Sequence, residues 1–381
     1  MEGYIYLDNN ATTEALPQVI EEVSTALSFH CNPSSPHGLG VNCRYLLESA
    51  RATIEDILLA DPGTIVFTSG ATESNNLVLQ GTLLPKLLQG QKPRLVTTVV
   101  EHSSVLKTAR YLEDLGVEVV LLDIDSCGQV QMADLEQVLP ADLVSIQWAN
   151  SETGILQPIK ELAGVCRKKE TSFHTDAAQS IGKLNLSVDE IPVDFLSFTG
   201  HKFHAPPGVG GLYVRQRDHL SSILKGGDQE FALRPGTENL PAILGMARAL
   251  EIRYQDLERI TSHLAALRNR LEHNLTSRLP VRIIANDSKR TCNVTNILFP
   301  EVDGQSLVSC LSQHGVYCSQ TSACIASRPE PSYVLRAMGL SEEEAWRCVR
   351  FSVSVLNQEE EIERASEIIV ECYQHLREKS K

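Results

Sequence analysis

Asp194-Phe195-Leu196-Ser197-Phe198-Thr199-Gly200-His201-Lys202 is a strand-length apolar run that ends by delivering a hydroxyl, a glycine, an imidazole and an amine. Asp194–Phe198 lacks the polar alternation of a half-exposed strand, so it reads as buried on both faces, as in a parallel sheet. Working outward, six more such runs appear at Thr64–Thr68, Arg94–Val100, Glu118–Asp123, Asp142–Trp148, Ser172–Thr175 and Gly210–Val214. Helical patterns separate them at Glu73–Leu88, Ser104–Leu115, Met132–Leu139 and Ile159–Lys169. Strands alternating with helices predict an α/β domain with a mostly parallel, seven-stranded sheet.

From about Pro241 the texture changes. Ala242 to Leu279 reads as one long helical region, followed by strands at Val281–Ala285 and Asn293–Phe299 and a last helix over Gln358–Glu378. This predicts a large domain over 14–255 and a smaller α+β domain built from 1–13 and 256–381.

The chain has 381 residues, with 34 Lys+Arg against 48 Asp+Glu and a net charge of −14. With no basic run and an excess of acid, direct nucleic-acid binding is not expected. No segment approaches the ~18 apolar residues of a membrane span. Met1-Glu2-Gly3-Tyr4 has neither a basic nor an apolar export region, so a soluble, cytoplasmic protein is expected. Ten cysteines are scattered along the chain with no C-x-x-C pair, so no metal site is expected from spacing. Most should be reduced thiols that behave as small apolar side chains.

In open sheets, ligands bind beyond the carboxyl ends of the strands. The strand ending at Thr68 runs into Ser69-Gly70-Ala71-Thr72-Glu73-Ser74-Asn75-Asn76, small residues opening a helix. Such a turn can gather backbone N–H groups on an anion, although Thr72 or Ser74 could equally cap the helix. The next strand ends at Glu101-His102, where the His is either catalytic or locally hydrogen-bonded. Asp176 follows Ser172–Thr175, placed either to hold a cationic ring nitrogen or to cap the next helix. Lys202 stands at the end of its strand as a candidate Schiff-base amine. A Lys for an aldehyde, an acid for a ring nitrogen and a phosphate cup are the partners that pyridoxal 5'-phosphate requires.

The series Tyr6–Thr13, Asn32–His37, Phe67–Asn76, Glu101-His102, Glu152–Gly154, His174–Ser180, Ser197–Lys202, Arg234–Asn239, Ser322–Cys324 and Arg350–Ser352 resembles the cysteine desulfurases of the NifS/IscS group. These are pyridoxal-phosphate enzymes of fold type I, in the class-V aminotransferases. The motifs occur in family order over nearly the whole chain, and the full series is far more specific than any one motif.

The resemblance implies that Lys202 holds the cofactor and moves the Cα proton, that His102 stacks on its ring, and that Asp176 pairs with the ring N–H. Gln179 would lie near the phenolate oxygen, and Ala71, Thr72, Thr199 and His201 would hold the phosphate. Thr237 would reach it from a partner subunit, implying a homodimer. Asn32, Ser151 and Arg350 would contact the substrate, L-cysteine, with Arg350 forking onto its carboxylate. Cys324 would take the substrate sulfur as a persulfide, leaving L-alanine; its setting, Ser319 to Pro329, reads as a loop. Sulfur would then pass to protein acceptors: an iron–sulfur scaffold, a tRNA-thiolation partner or a DNA-phosphorothioation protein.

Two positions depart from the family. Ser151 stands where a second Asn is usual, so looser substrate handling is expected; Cys318 is either a thiol without a role or a relay near the persulfide. Selenocysteine lyase and a catalytically weak docking protein are the competing readings, the first because the same residues can eliminate selenium.

Overall fold

The computed structural model describes residues 3–320 and 330–379. Its strands are β1 (Ile5–Tyr6), β2 (Ile65–Thr68), β3 (Arg94–Thr98), β4 (Glu118–Leu122), β5 (Leu143–Ser145), β6 (Ser172–Asp176), β7 (Phe195–Thr199) and β8 (Gly210–Val214), then β9 (Arg282–Ile283), β10 (Val294–Leu298), β11 (Val316–Tyr317) and β12 (Cys348–Ser352). The helices are α1 (Pro17–Ala26), α2 (Gly38–Leu58), α3 (Ala71–Leu88), α4 (Ser103–Leu115), α5 (Met132–Val138) and α6 (Ile159–Lys168), then α7 (Leu240–Gln255), α8 (Leu257–Thr276), α9 (Gly304–Gln313), α10 (Tyr333–Ala337), α11 (Glu342–Trp346) and α12 (Glu359–Lys379).

Strands β2 to β8 form one seven-stranded sheet in the order β2-β8-β7-β6-β5-β3-β4. Only β8 runs antiparallel, to both β2 and β7. All seven strands read from the sequence are present, with β5 shorter than expected. Past Ser145 the chain still bonds its neighbour, Ile146 N to His174 O and Trp148 N to Asp176 O, but without a regular ladder. The β7 side chains Phe195 and Phe198 are fully buried, which is why this run shows no polar alternation. Replacing Phe198 by Ala would cost about 3–5 kcal/mol in lost transfer and cavity energy.

Glycine at two positions brings the β2 turn against β8. Gly70 has φ +153°, which side-chain-bearing residues rarely adopt, and a Cβ on Gly210 would stand 2.6 Å from Gly70 Cα. The turn that opens α3 therefore packs directly over the end of β7.

The expected single helix over Ala242–Leu279 is two helices. Apolar periodicity continues across the junction, but Asp256 leaves helical geometry at φ −145°, ψ 41°, separating α7 from α8. Helix α7 packs on α1 and α2 beneath the large sheet, whereas α8 packs against α12. A second, antiparallel sheet has the order β12-β10-β9, and β1 pairs in parallel with β11. Strand β12 has no counterpart among the sequence-predicted strands. Its apolar face joins Leu264, Leu267, Leu271, Ile362 and Ile369 in a core separate from that of α1, α2 and α7.

Cys31 and Cys43 form a disulfide with a Cα–Cα distance of 6.5 Å, tying the segment ahead of α2 to its second turn. Against the expectation of reduced thiols, this pair is the exception; seven other cysteines among the described residues are free. No helix of the described residues is long and apolar enough to cross a membrane.

Candidate active site

The carboxyl ends of β2, β6 and β7 converge on a cavity of about 330 Å³. Helix α3 points its N-terminus into it. Gly70 is the N-cap and no side chain among the described residues caps the helix, so its first N–H groups keep their capacity for an anion. Ser74 is not the cap: its hydroxyl bonds Thr68 Oγ1 at 2.8 Å and the Gly211 carbonyl at 3.1 Å. Ala71, Thr72, Thr199 and His201 all line this end of the cavity. Burial, then the neighbouring Lys202 and Lys183, push His201 down to about 4, so at neutral pH it is an uncharged imidazole. Its Nδ1 lies 3.2 Å from Thr12 Oγ1.

Asp176 ends β6 on the cavity wall. One carboxylate oxygen accepts from Ala178 N at 2.9 Å, and the other from Asn75 Nδ2 at 2.7 Å. The same amide nitrogen donates to Ser104 Oγ at 2.9 Å, and that hydroxyl lies 2.8 Å from His102 Nδ1. Since Ser104 N also donates to His102 Nδ1, at 3.1 Å, the ring proton of the neutral imidazole sits on Nε2. His102 is thus both the N-cap of α4 and a wall of the cavity, so its two sequence readings hold together. Asn75 and Ser104 join carboxylate to imidazole; Asn75 lies in the turn that opens α3 and Ser104 opens the helical pattern after His102, yet their roles depend on contacts 101 and 29 residues apart.

Lys202 Nζ donates to the carbonyls of Asn10 at 2.5 Å and Ala11 at 2.8 Å. The Asn10 carbonyl also accepts from Gln179 Nε2 at 3.1 Å. On its other side Gln179 Oε1 accepts from Lys183 Nζ at 2.9 Å. Lys183, unnoticed in the sequence, is 5% exposed, and burial pushes its amine down to about 7. The central His174 is a satisfied core residue between Ser145 and Ser197, and burial pushes it down to about 4.

At the opposite end stands Arg350, whose side chain is 1% exposed. It bonds Asp8 Oδ1 at 2.7 Å and the Ser151 carbonyl at 3.2 Å, and its Nε has no hydrogen-bond partner among the described residues. Removing Asp8 would leave a buried cation unpaired, a loss of about 3–5 kcal/mol. Ser151 lines the cavity and also accepts at its carbonyl from Asn10 Nδ2 at 3.0 Å.

Asn32 and Thr237 are exposed and do not line the cavity of this chain. Asn32 instead accepts from Ser34 N at 2.8 Å. Cys324 lies outside the described residues. Burial, reinforced by Asp8, pushes the Cys318 thiol up, which keeps it protonated and poorly nucleophilic and favours the reading in which it has no role.

The donor set fits pyridoxal 5'-phosphate. An uncapped helix N-terminus with hydroxyls meets a phosphate, a carboxylate held by two N–H donors meets a ring N–H, and an amine meets an aldehyde. The orphan Arg350 Nε leaves a buried donor for a carboxylate-bearing substrate at the other end.

A family model described as aminotransferase class-V matches residues 5–365. A protein named cysteine desulfurase, from Nostoc sp. (strain PCC 7120), is 38% identical over 377 residues, spanning 98% of this chain and 94% of the relative. A solved structure described as a NifS-like protein superposes with a TM-score of 0.92 at 36% identity, covering 98% of this chain and 100% of the other. SspA in complex with cysteine superposes with a TM-score of 0.82 at 33% identity, covering 92% of this chain and 98% of that one.

Proposed function

The chain belongs to the aminotransferase class-V family and is a cysteine desulfurase, and we propose that it works with pyridoxal 5'-phosphate held over Lys202 and passes sulfur on through Cys324. The observation that carries this reading is a single cavity whose wall holds Lys202, Asp176 and His102 between an uncapped helix N-terminus and a buried Arg350. Large and small domains over 14–255 and over 1–13 with 256–381 would divide the work. The first carries the cofactor residues and the second contributes Arg350 and Cys324.

Bound pyridoxal phosphate supplies an electron sink that makes the Cα–H of L-cysteine acidic and its Cβ–S bond breakable. Lys202, steadied by the Asn10 and Ala11 carbonyls, takes the Cα proton and later returns one. Asp176, its carboxylate fixed by Asn75 and Ala178, would accept from the ring N–H. His102, whose Nδ1 accepts from Ser104 N, would pack beside the ring. Arg350 orients the substrate carboxylate through the guanidinium edge that Asp8 leaves available.

Cys324 thiolate then attacks the substrate sulfur. An S–S bond forms, the Cβ–S bond breaks, and its electron pair is protonated at Cβ, so thiol plus L-cysteine become persulfide plus L-alanine. The substrate carbon is reduced as the sulfur is oxidised, and no outside oxidant is needed. A protein acceptor thiol removes the sulfane sulfur, the acceptor being an iron–sulfur scaffold or the thiol of a nucleic-acid-modifying system. Thr237, exposed and away from this chain's cavity, is where a residue serving the second subunit of a homodimer would be.

The test is stoichiometry with both chalcogens. L-Cysteine should yield alanine and sulfane sulfur in equal amounts, and Lys202→Ala should yield neither. Turnover of selenocysteine alone, with none of cysteine, would overturn the assignment in favour of a lyase.

A further inference from the structure

Away from the cavity, α9 and α12 bring together two thiols and an imidazole. Cys310 and His314 lie one helical turn apart at the end of α9, and Cys372 faces them from α12. One ligand atom from each lies within 4.8 Å of the other two. Cys372 is buried, Cys310 half-buried and His314 exposed.

These spacings can be compared with a metal's requirements. Zinc binds thiolate sulfur at about 2.3 Å and imidazole nitrogen at about 2.0–2.1 Å with tetrahedral angles. That geometry places S and N about 3.6 Å apart, and two S atoms about 3.8 Å apart. Cys372 Sγ stands 3.7 Å from His314 Nδ1. We propose that Cys310, His314 and Cys372 form a zinc site with two thiolates, one imidazole and a fourth position open to water.

The ligand types favour zinc over magnesium or calcium, which take oxygen donors. Two thiolates neutralise the ion, and binding releases two protons, one from each thiol. One local bond must change. His314 Nδ1 lies 2.9 Å from the Cys310 carbonyl as its donor, so binding through Nδ1 moves the ring proton to Nε2. Because His314 is exposed, water satisfies Nε2–H in that tautomer. The ion would clamp α12 to α9, and α9 leads through β11 to the segment 321–329 that carries Cys324. Spacing along the chain hides the site, since Cys372 lies 58 residues beyond His314.

The test uses holoenzyme stripped with a chelator and dialysed against Zn2+, with bound metal counted by elemental analysis. Cobalt substitution gives a second readout, the thiolate-to-cobalt charge-transfer absorption. Wild type should hold about one zinc per chain and show that absorption, with a higher Tm than the stripped enzyme. Losing an outer partner alone weakens metal sites ~10-fold or more, so Cys310→Ser and His314→Ala should each weaken zinc by at least that. Both variants avoid the buried Cys372, whose replacement could disturb folding, and both should keep desulfurase activity. No zinc uptake by wild type overturns the proposal, as does uptake unchanged in both variants. A Cys310–Cys372 disulfide in non-reduced peptides, in place of metal, overturns it equally.

Discussion

The cavity at the strand ends and the thiol cluster between α9 and α12 gather reactive side chains by opposite means. In the cavity, most groups sit at a strand end or a helix start, and backbone groups or neighbouring side chains fix them. Asn10 O alone accepts from both Lys202 and Gln179, and the uncapped start of α3 faces the anion end. In the cluster, no strand end or loop is involved; two helices pack, and three side chains happen to share one volume. The first arrangement is braced by a hydrogen-bond network that includes backbone groups, whereas the second is linked by the contacts of His314 with the Cys310 carbonyl and Cys372 Sγ. Preorganised polar groups of the first kind are what catalysis requires, because they need not reorganise as charge develops.

That contrast can be broken at its strongest point. Asn75 holds both Asp176 and Ser104, so Asn75→Ala should leave the carboxylate and His102 without their shared brace. Activity should fall by roughly 10- to 100-fold, a loss of about 1.4–2.7 kcal/mol, with weaker retention of cofactor on gel filtration. Wild-type kcat and cofactor affinity in Asn75→Ala would show that the network is ornamental and the two regions are not different in kind.

A smaller effect is expected at Lys183, which bonds the wall residue Gln179 without lining the cavity itself. Lys183→Met should lower kcat/KM by several-fold, roughly 1 kcal/mol. Burial holds the native amine at about 7, below its ordinary 10.5, so between those values the unfolded chain binds more protons than the native one. Stability from this group therefore rises with pH from about 7 to 10.5, and Lys183→Met should abolish that rise in denaturant midpoints. A wild-type pH–stability profile in the variant would remove Lys183 from the account.

Much of the cavity was legible because its chemistry is local. Asp176, Lys202, Thr199 and the Ser69–Asn76 turn each follow an apolar strand, and the rule that ligands sit beyond strand ends assembles them without coordinates. What stayed hidden depends on long-range contact. Nothing in the sequence shows that the carbonyl of Asn10 receives Lys202, 192 residues away, or that Asp8 occupies part of the Arg350 fork. Lys183 carries no signal in the sequence, since burial is not visible in a single residue. The break at Asp256 was hidden too, because apolar spacing runs on through it and only the backbone angles interrupt the helix. The zinc ligands fall in the same category, drawn from two helices that only tertiary packing makes neighbours.

Sulfur transfer to one particular thiol is the central claim, and mass spectrometry of a single turnover tests it most directly. Holoenzyme mixed with one equivalent of L-cysteine, then alkylated and digested, should show the peptide containing Cys324 heavier by one sulfur atom, alongside one equivalent of alanine. Cys324→Ala should form neither at the wild-type rate. Alanine released at the full rate by Cys324→Ala, or the added sulfur found only on another of the ten cysteines, would contradict the account.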